Sequence, residues 1–545
     1  MRSRSLVIGL AVCCACPARG VADDLLPAET PVEQAIDHYV GAKLQAAGVT
    51  AAAQAEDANV LRRTMLDLVG RIPTPAEAKA YVADPSPDKR EGLVERLLAS
   101  PAFIRQQTAE FDALLMHGTG KDLREYLSKA FSEKRSWDQM FRDMIAGETD
   151  DSEQKGAIRF VAARAKDPDK LTNDTSVLFF GVNVSCAKCH DHPLVADWTQ
   201  DHYYGMFSFF SRTYDVGDFL GEREYGNVNY KTVTGDSRDA RLMFLSGTVL
   251  DEPPSEEPDE SAKKEERKRL EELKKSKQPP PPPAYSRRAQ LVDAALEDDE
   301  NDYFSRAIVN HLWNRFFGRG LVHPVDQMHS ENPPSHPELL DWLARDVRAR
   351  GYDLVPLIRG IALSQTYSRS SQWDSAGESP QEKRPSDGLF AVAQIRPLKP
   401  WQYGTLLKLA TVSPDRFPAD LSADDLDQRI QGLEGGGRGL GSQFEMPTAD
   451  FQIGIDEALL FSNSERIASE LLPDNKESLL GKMADCPDLR SAAETAVWSI
   501  YTRRPTEEEL TALTEYLAQR EDRIADARRQ LVWALLTSSE CRFNY

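Results

Sequence analysis

The chain has 545 residues, of which 41% are hydrophobic and 28% are charged, and its formal net charge at pH 7 is −21. This composition is that of an ordinary globular protein and excludes collagen-like and wholly disordered chains, while the length predicts about two to four domains. Binding to nucleic-acid phosphates depends on lysine and arginine, so the acidic balance argues against a nucleic-acid partner.

The N-terminus has the layout of a secretory signal, predicted to cover residues 1–22. Two arginines precede an apolar run from Leu6 to Cys16, and small residues follow, ending at Ala22. This pattern predicts cleavage after Ala22 and export of the mature chain to the periplasm or the exterior. A lipoprotein signal through Cys13 is the alternative. No later stretch reaches the roughly 18 uninterrupted apolar residues of a spanning helix, so no membrane span is predicted.

Residues 31–170 are predicted to form helices joined by short turns. Apolar residues recur three or four positions apart, and Gly70 stands where one of these helices would stop. The next helix is predicted to start after Thr74, which can cap it, with Pro75 in the first helical position and Glu77 completing a capping box. The first part of the mature chain is therefore expected to be helical.

A cluster of cysteine and histidine follows, in the stretch NVSCAKCHDHPLVADW at 183–198. Cys186, Cys189 and His190 form the string Cys-x-x-Cys-His, which chance would produce about 0.0015 times in a chain of this composition. In c-type cytochromes, two thiols at this spacing add to the vinyl groups of haem and the next histidine ligates the iron. The motif predicts one covalently bound haem c, which agrees with the predicted export.

The second face of the haem iron needs another ligand or stays open. His192 is too close in sequence to His190 to reach that face. A methionine ligand would favour electron transfer, whereas an open face would favour binding of a small molecule. The candidate ligands are Met206, which ranks first, then His202, and then the more distant Met116, His117, Met328 and His329.

Two other interpretations of the cluster stay open. In the first, Cys186, Cys189, His190 and His192 hold a structural zinc ion, although four ligands within seven residues strain a tetrahedral site. In the second, Cys186 and Cys189 form a redox dithiol or a structural disulfide. The aromatic residues between positions 203 and 210 either line a pocket beside the cluster or belong to the core.

Short alternations of Tyr, Val and Thr between residues 213 and 250 predict a small β element that closes the first domain, at 23–250. Residues 251–285 form a predicted linker between domains. The linker opens with acidic residues and prolines, its charged middle is compatible with a solvated helix, and the five prolines at 279–283 make a stiff spacer.

Residues 286–545 are predicted to form a second helical domain. Ser335 is predicted to cap a helix that stops at Gly351, and Thr506 and Glu509 have the spacing of a further capping box. These start and stop signals alternate with apolar positions at helical spacing, so the fold class is mainly α.

Two further features of the second domain are its glycine-rich stretch and its cysteines. The stretch LEGGGRGLGSQ at 433–443 lacks the spacing of a dinucleotide-binding loop and predicts a flexible loop. Cys486 and Cys541 either form a disulfide, as an oxidising compartment would allow, or stay two buried free thiols.

Several long strings carry a family resemblance. They are LRRTMLDLVGRIPTPAE and FFGVNVSCAKCHDHPLVADWTQDHYYGMFSFF in the first domain, and NDYFSRAIVNHLWNRFFGRGLVHPVDQM and GYDLVPLIRGIALSQTYSRSS in the second. From about Val32 to Tyr545 the chain resembles exported planctomycete proteins that pair a cytochrome-c-like domain of unknown function with a planctomycete-specific C-terminal domain, also of unknown function. The resemblance implies a haem-type motif at Cys186, Cys189 and His190, and it names an architecture rather than an activity.

Together these features predict an exported, mainly α, two-domain protein with one haem c, which passes electrons to a redox partner protein or binds a small ligand. One alternative is a non-redox scaffold or binding protein whose cluster holds zinc or a disulfide. Another is a component that acts on extracellular polysaccharide. The sequence contains no serine-hydrolase elbow, phosphate-binding loop or zinc-protease motif, so it leaves enzymatic activity and oligomeric state open.

Overall fold

The computed structural model describes residues 25–147, 154, 156–217, 219–373, 384–447 and 469–545. The predicted signal at 1–22 lies outside these residues. The described chain is mainly α-helical with a few short strands, which confirms the predicted fold class. Within it, no helix combines the length and the apolar character needed to cross a membrane.

Helices joined by short turns precede the cysteine cluster, as predicted. The helix α2 ends at Gly70, whose φ of 72° is left-handed, and the predicted capping box of α3 is confirmed, since Thr74 Oγ1 accepts from the Glu77 amide at 3.2 Å. These helices are α1 (Val32–Ala47), α2 (Asp57–Val69), α3 (Pro75–Ala83), α4 (Lys89–Leu98), α5 (Pro101–Met116), α6 (Arg124–Ser132), α7 (Trp137–Ala146), α8 (Arg159–Ala162) and α9 (Pro168–Phe180).

The predicted β element consists of three small antiparallel hairpins that follow α10 (Gln200–Phe210). In the first hairpin Thr213 pairs with Glu222 and Val216 pairs with Phe219. Each hairpin has two strands, so it depends on packing against the helices for its stability. The pairs are β1 (Thr213–Val216) with β2 (Phe219–Glu222), β3 (Asn229–Lys231) with β4 (Ser237–Asp239), and β5 (Leu242–Met243) with β6 (Val249–Leu250).

The charged middle of the predicted linker is the helix α11 (Glu260–Ser276), and none of its residues is buried. Asp259 caps it by accepting from the Ala262 amide at 2.8 Å. Glu266 on this helix pairs with Arg223 at 3.3 Å, which holds the helix beside the first hairpin. A helix that buries no side chain gains little from packing, so its local charges and cap sustain it.

The remaining α-helices of the described chain follow α11. Thr506 caps α20 by accepting from the Glu509 amide at 3.1 Å, and this capping box was predicted. The helices are α12 (Arg287–Leu296), α13 (Tyr303–Phe317), α14 (Pro337–Ala349), α15 (Val355–Leu363), α16 (Pro400–Thr411), α17 (Ala423–Gly441), α18 (Leu479–Ala484), α19 (Leu489–Ile500), α20 (Glu507–Ala518), α21 (Ile524–Leu536) and α22 (Ser539–Arg542).

The predicted cap of α14 by Ser335 is wrong. His336 occupies the cap position without a side-chain cap, and the Ser335 hydroxyl lies instead 3.1 Å from Nδ1 of His336. Pro337 takes the first helical position, where its fixed φ and missing N–H are tolerated, and it keeps the preceding residue extended. The predicted stop is confirmed, since the helix ends just before Gly351, whose φ is 62°.

The flexible loop predicted for 433–443 is also wrong, because residues 433–441 continue the helix α17. The glycines allow close contact with α16. An ideal Cβ on Gly437 would lie 2.7 Å from the Thr405 backbone, and one on Gly404 would lie 2.0 Å from the Gly437 carbonyl oxygen. The absence of side chains at these positions lets the two helices approach, and this contact offsets the low helix propensity of glycine.

Two hydrophobic cores hold these helices together. The larger one joins residues on both sides of the predicted linker. At its centre the Trp137 ring stacks on Phe179 at 5.5 Å and on Phe304 at 6.1 Å, which packs α7, α9 and α13 together. The smaller core combines Leu66 and Ile72 with the C-terminal helices. The core therefore crosses the predicted division at 251–285, and the two-domain boundary stays a prediction.

A buried polar group, here called the Asp67 cluster, also joins distant parts of the chain. The Asp67 carboxylate accepts from Arg396 at 2.7 and 3.0 Å, from the Tyr367 hydroxyl at 2.7 Å and from the Asn544 amide at 3.1 Å. Arg396 and Asn544 are themselves paired in the sheet of β7 (Arg396–Pro397) and β8 (Phe543–Asn544). Because a buried carboxylate needs such partners, the cluster fixes the C-terminal strand against α2.

Candidate functional site

The cysteine cluster lies at the surface, in the connection between α9 and α10. Gly181 ends α9 with a φ of 68°, and a 3-10 turn at Ser185–Lys188 follows. Asn183 starts this turn, because its Oδ1 accepts from the Ser185 amide at 3.1 Å and from the Ser185 hydroxyl at 2.6 Å. Within the turn Ala187 is fully buried and anchors it to the core.

The three residues of the predicted haem motif are all exposed. Cys186 and Cys189 flank the buried Ala187, and both are free thiols. The Nδ1 atom of His190 lies 2.8 Å from the Asp191 carbonyl oxygen, which can only accept a hydrogen bond. Nδ1 therefore donates, and the neutral ring keeps its lone pair on Nε2, the arrangement common in histidines that ligate a metal.

His192 has the opposite role in the loop. Its Nδ1 accepts from the amides of Val195 at 3.1 Å and Leu194 at 3.3 Å, and its own amide donates to the Trp198 carbonyl at 2.8 Å. These bonds close the loop and place the proton of the neutral ring on Nε2. Among the described residues, no group of three or more His, Cys, Asp or Glu side chains is arranged to hold a metal ion. The zinc hypothesis stays a prediction, and it would require this loop to rearrange.

A segment far along the chain, residues 326–330, supports the cluster. Val182 forms an antiparallel bridge with Gln327. The backbone N–H of Asn183 donates to the backbone carbonyl of Asp326 at 2.9 Å. Ser330 donates to the Asp197 carboxylate twice, from its amide at 2.8 Å and from its hydroxyl at 2.7 Å. The region before the linker supplies the motif, and the region after it supplies the support.

The same segment brings His329 near the cluster. The next residue, Ser330, is hydrogen-bonded to Asp197, which places His329 beside the loop. Burial lowers the pKa of His329, and the charge of Asp197 opposes this shift. His329 is partly buried, and its Nδ1 has no hydrogen-bond partner. The sequence offered His329 only as a distant candidate, because nothing local in the chain connects it to the cysteines.

The first-ranked axial ligand, Met206, lies in the core. It is fully buried on α10 as part of the larger core, whereas the motif residues are exposed, so Met206 has no open path to a group held on the motif. The His202 ring caps α10, since its Nδ1 accepts from the Thr199 amide at 3.3 Å, which places the proton of the neutral ring on Nε2. The role of Met206 stays a prediction.

Aromatic and apolar side chains flank the exposed thiols. Most of the run at 203–210 belongs to the core, but Tyr204 stacks on Tyr230 of β3 with ring centroids 4.1 Å apart. The Tyr204 hydroxyl donates to the carbonyl of Lys188, the residue before Cys189, at 3.2 Å. In addition, Leu194 within the loop is 82% exposed. Tyr204 and Leu194 are apolar groups that α10 and the loop leave accessible near the motif.

The two C-terminal cysteines do not form a disulfide in the structure. The Cys541 thiol is buried, and burial raises its pKa to about 12. Cys486 is half-buried, and its thiol donates to the Lys482 carbonyl at 3.4 Å. Both are free thiols, and burial makes the Cys541 thiol unreactive because it disfavours the thiolate.

The chemistry of the donor set fits a covalent haem c. Two accessible thiols stand on one turn, the adjacent imidazole has a free Nε2, and apolar side chains stand beside them.

Comparison with known proteins identifies two domains of unknown function. Residues 35–215, which include the cysteine cluster, match the family model PSCyt2, described as a protein of unknown function (DUF1549). Residues 287–405, which include the supporting segment, match the family model PSD1, described as a protein of unknown function (DUF1553). No curated protein and no solved structure matches the chain.

Proposed function

We propose that this pairing of two domains of unknown function is an exported c-type haem protein, which holds one haem through Cys186, Cys189 and His190 and uses it for electron transfer or small-ligand binding. The observation that carries the proposal is the exposure of two free thiols on one turn, followed by a histidine whose Nε2 is left free. The resemblance to exported planctomycete proteins with a cytochrome-c-like domain supports it.

Each residue of the motif has a defined part. The thiols of Cys186 and Cys189 would each add across one vinyl group, with the sulfur bonding to one carbon and the proton passing to the other. The bound iron supplies a one-electron couple. His190 would ligate the iron through Nε2, and the Asp191 carbonyl would hold the ring in place through Nδ1.

The exposure of the motif favours electron exchange with a partner protein in solution. A haem held on a surface turn stands close to any partner protein that docks there, which suits electron transfer. The burial of Met206 argues against that side chain as a ligand. Absorption spectroscopy of the oxidised protein tests this point, because methionine ligation gives a weak charge-transfer band in the red that water or histidine ligation does not.

The decisive experiment is expression of the full chain with its own signal in a host with c-haem maturation machinery. We expect an intact mass increased by one haem and a Soret band that survives acid-acetone extraction. Cys186→Ser with Cys189→Ser should abolish both signals, and His190→Ala should keep the added mass but change the spectrum. Cys486→Ser, which alters a thiol outside the motif, is the matched control and should keep the haem.

A colourless protein of unmodified mass would refute the proposal. If that protein instead holds one zinc ion per chain, lost in the Cys186→Ser variant, the structural-metal hypothesis replaces it. The predicted export has a separate test, since N-terminal sequencing of the secreted protein should begin at Asp23. A retained N-terminus would contradict export independently of the haem.

A further inference from the structure

A large cavity is lined by residues outside the cysteine cluster. It has a volume of about 770 Å³ and lies between α4, α5, α6 and α7 on one side and the start of α15 on the other. Both regions that match family models line it. Pockets that bind small molecules in proteins typically have volumes of roughly 300–1,000 Å³ and largely apolar walls, and this cavity is within that range.

The walls of the cavity are mainly apolar. Phe103, Phe111, Met140 and Ile358 contribute buried side chains to its lining. Val355 also lines it and is 39% exposed, which makes it one of the few large hydrophobic side chains that the described residues leave open to solvent. An apolar molecule in this cavity would therefore cover surface that is now exposed to water.

The arginines around the cavity are already paired with carboxylates. Arg359 donates to Glu95 at 2.5 Å, and Arg350 donates to Asp346 at 2.8 Å. Arg135 pairs with Asp143, which is buried. Because these guanidinium groups have their counter-ions within the protein, they add little to the binding of an anion, and the remaining cation of the lining, Lys134, is exposed to solvent.

One polar group in the lining lacks a partner. Gln107 is 1% exposed, and its Oε1 accepts from Arg315 at 2.8 Å. Arg315 can only donate, so this bond fixes the orientation of the amide and leaves Nε2 as the free end. Nε2 is buried and makes no hydrogen bond. A buried donor without an acceptor is unfavourable, and a ligand oxygen would satisfy it.

From these observations we infer a second binding site, independent of the proposed haem, for an uncharged and mainly apolar small molecule that carries one hydrogen-bond acceptor such as a carbonyl oxygen. The ligand's apolar part packs on the aromatic and aliphatic walls beside Val355. Its oxygen accepts from Nε2 of Gln107.

Fluorescence titration of the full chain tests this site with a matched pair of probes. The first is 6-propionyl-2-(dimethylamino)naphthalene, a neutral aromatic ketone whose emission shifts in apolar surroundings. The second, 2-(dimethylamino)naphthalene, lacks the carbonyl. We expect saturable binding of both, with the ketone bound about three- to tenfold more tightly because of its hydrogen bond.

Two variants separate the apolar walls from the hydrogen bond. Gln107→Glu keeps an acceptor for Arg315 but removes the free donor, so it should weaken ketone binding about tenfold and leave the other probe unchanged. Val355→Trp should fill the cavity mouth and weaken both probes. Val233→Trp, at a valine that is 68% exposed and not part of the lining, is its matched control and should bind both probes as the unmodified chain does.

Three results would overturn the inference. They are no saturable binding of either probe, equal binding by the Val355→Trp and Val233→Trp variants, and an unchanged preference for the ketone in Gln107→Glu. Circular dichroism identifies any variant that fails to fold, and if Gln107→Glu fails, the two tryptophan variants and the two probes still decide between a specific site and none.

Discussion

Alanine at Gly437 should loosen the contact between α16 and α17. The added Cβ would lie 2.7 Å from the backbone of Thr405, closer than such atoms approach in folded proteins. Backbone cannot rotate away as a side chain can, so one helix must shift. Inserting a methyl group into a packed interface of this kind costs about 1–3 kcal/mol, whereas replacing a helical glycine by alanine gains about 1 kcal/mol.

Gly439 on the same helix provides the control. An ideal Cβ there meets nothing within 4 Å, and the residue is exposed. Gly439→Ala should therefore stabilise α17 by about 0.5–1 kcal/mol through helix propensity alone. Both variants gain this propensity term, so the difference between them, about 1–3 kcal/mol, isolates the cost of the contact at Gly437.

Amide hydrogen exchange of the peptide that covers residues 423–441 measures this difference locally. A difference of about 1–3 kcal/mol corresponds to exchange through local opening that is roughly five to 150 times faster in Gly437→Ala than in Gly439→Ala. Equal protection of the two variants would refute the close packing of α17 on α16. Faster exchange in both than in the unmodified chain would favour the loop that the glycine-rich sequence predicts.

Three further predictions concern stability. Asp67→Asn leaves the largely buried Arg396 without its counter-ion, so it should lower the free energy of unfolding by about 3–5 kcal/mol in urea titrations. The control Asp57→Asn, at a half-exposed ion pair, should change it by less than about 1 kcal/mol. Similar losses in the two variants would contradict the assigned role of the Asp67 cluster. Burial lowers the pKa of His336 to about 4, so the unfolded chain binds one more proton than the folded chain between about pH 4 and 6.5. Stability therefore falls as the pH decreases through that window, and His336→Gln should remove up to about 3 kcal/mol of this dependence. An unchanged dependence of stability on pH in the variant would contradict the burial of an uncharged His336. Thr506→Ala removes the cap of α20 and should lower the free energy of unfolding by about 1 kcal/mol in the same titrations. An unchanged free energy of unfolding would contradict a stabilising role of this cap.

The Asp67 cluster gives part of the family resemblance a structural meaning. Asp67 lies in the string LRRTMLDLVGRIPTPAE and Tyr367 lies in GYDLVPLIRGIALSQTYSRSS. The structure joins them by a hydrogen bond between residues 300 positions apart in the chain. Asp67 and Tyr367 therefore serve the packing of the two family-matched regions on each other.

The cysteine cluster was recognisable from the sequence because its spacing is local. Cys186, Cys189 and His190 lie within five consecutive residues, so any backbone that forms a turn there keeps them together. The support from residues 326–330 was not recognisable, since Ser330 and Asp197 are 133 residues apart in sequence. For the same reason, proximity along the chain made Met206 the first choice of ligand, while the fold buries that side chain in the core.

The amino-acid sequence by itself determined where most helices begin and end, because capping, proline and apolar spacing act over three or four residues. The capping boxes at Thr74 and Thr506 and the stop at Gly70 illustrate this local control. Tertiary structure decided the features that depend on distant partners, including the helical state of the glycines in α17 and the position of His329. Packing energy comes from contacts between residues that the chain separates widely, so no local pattern encodes it.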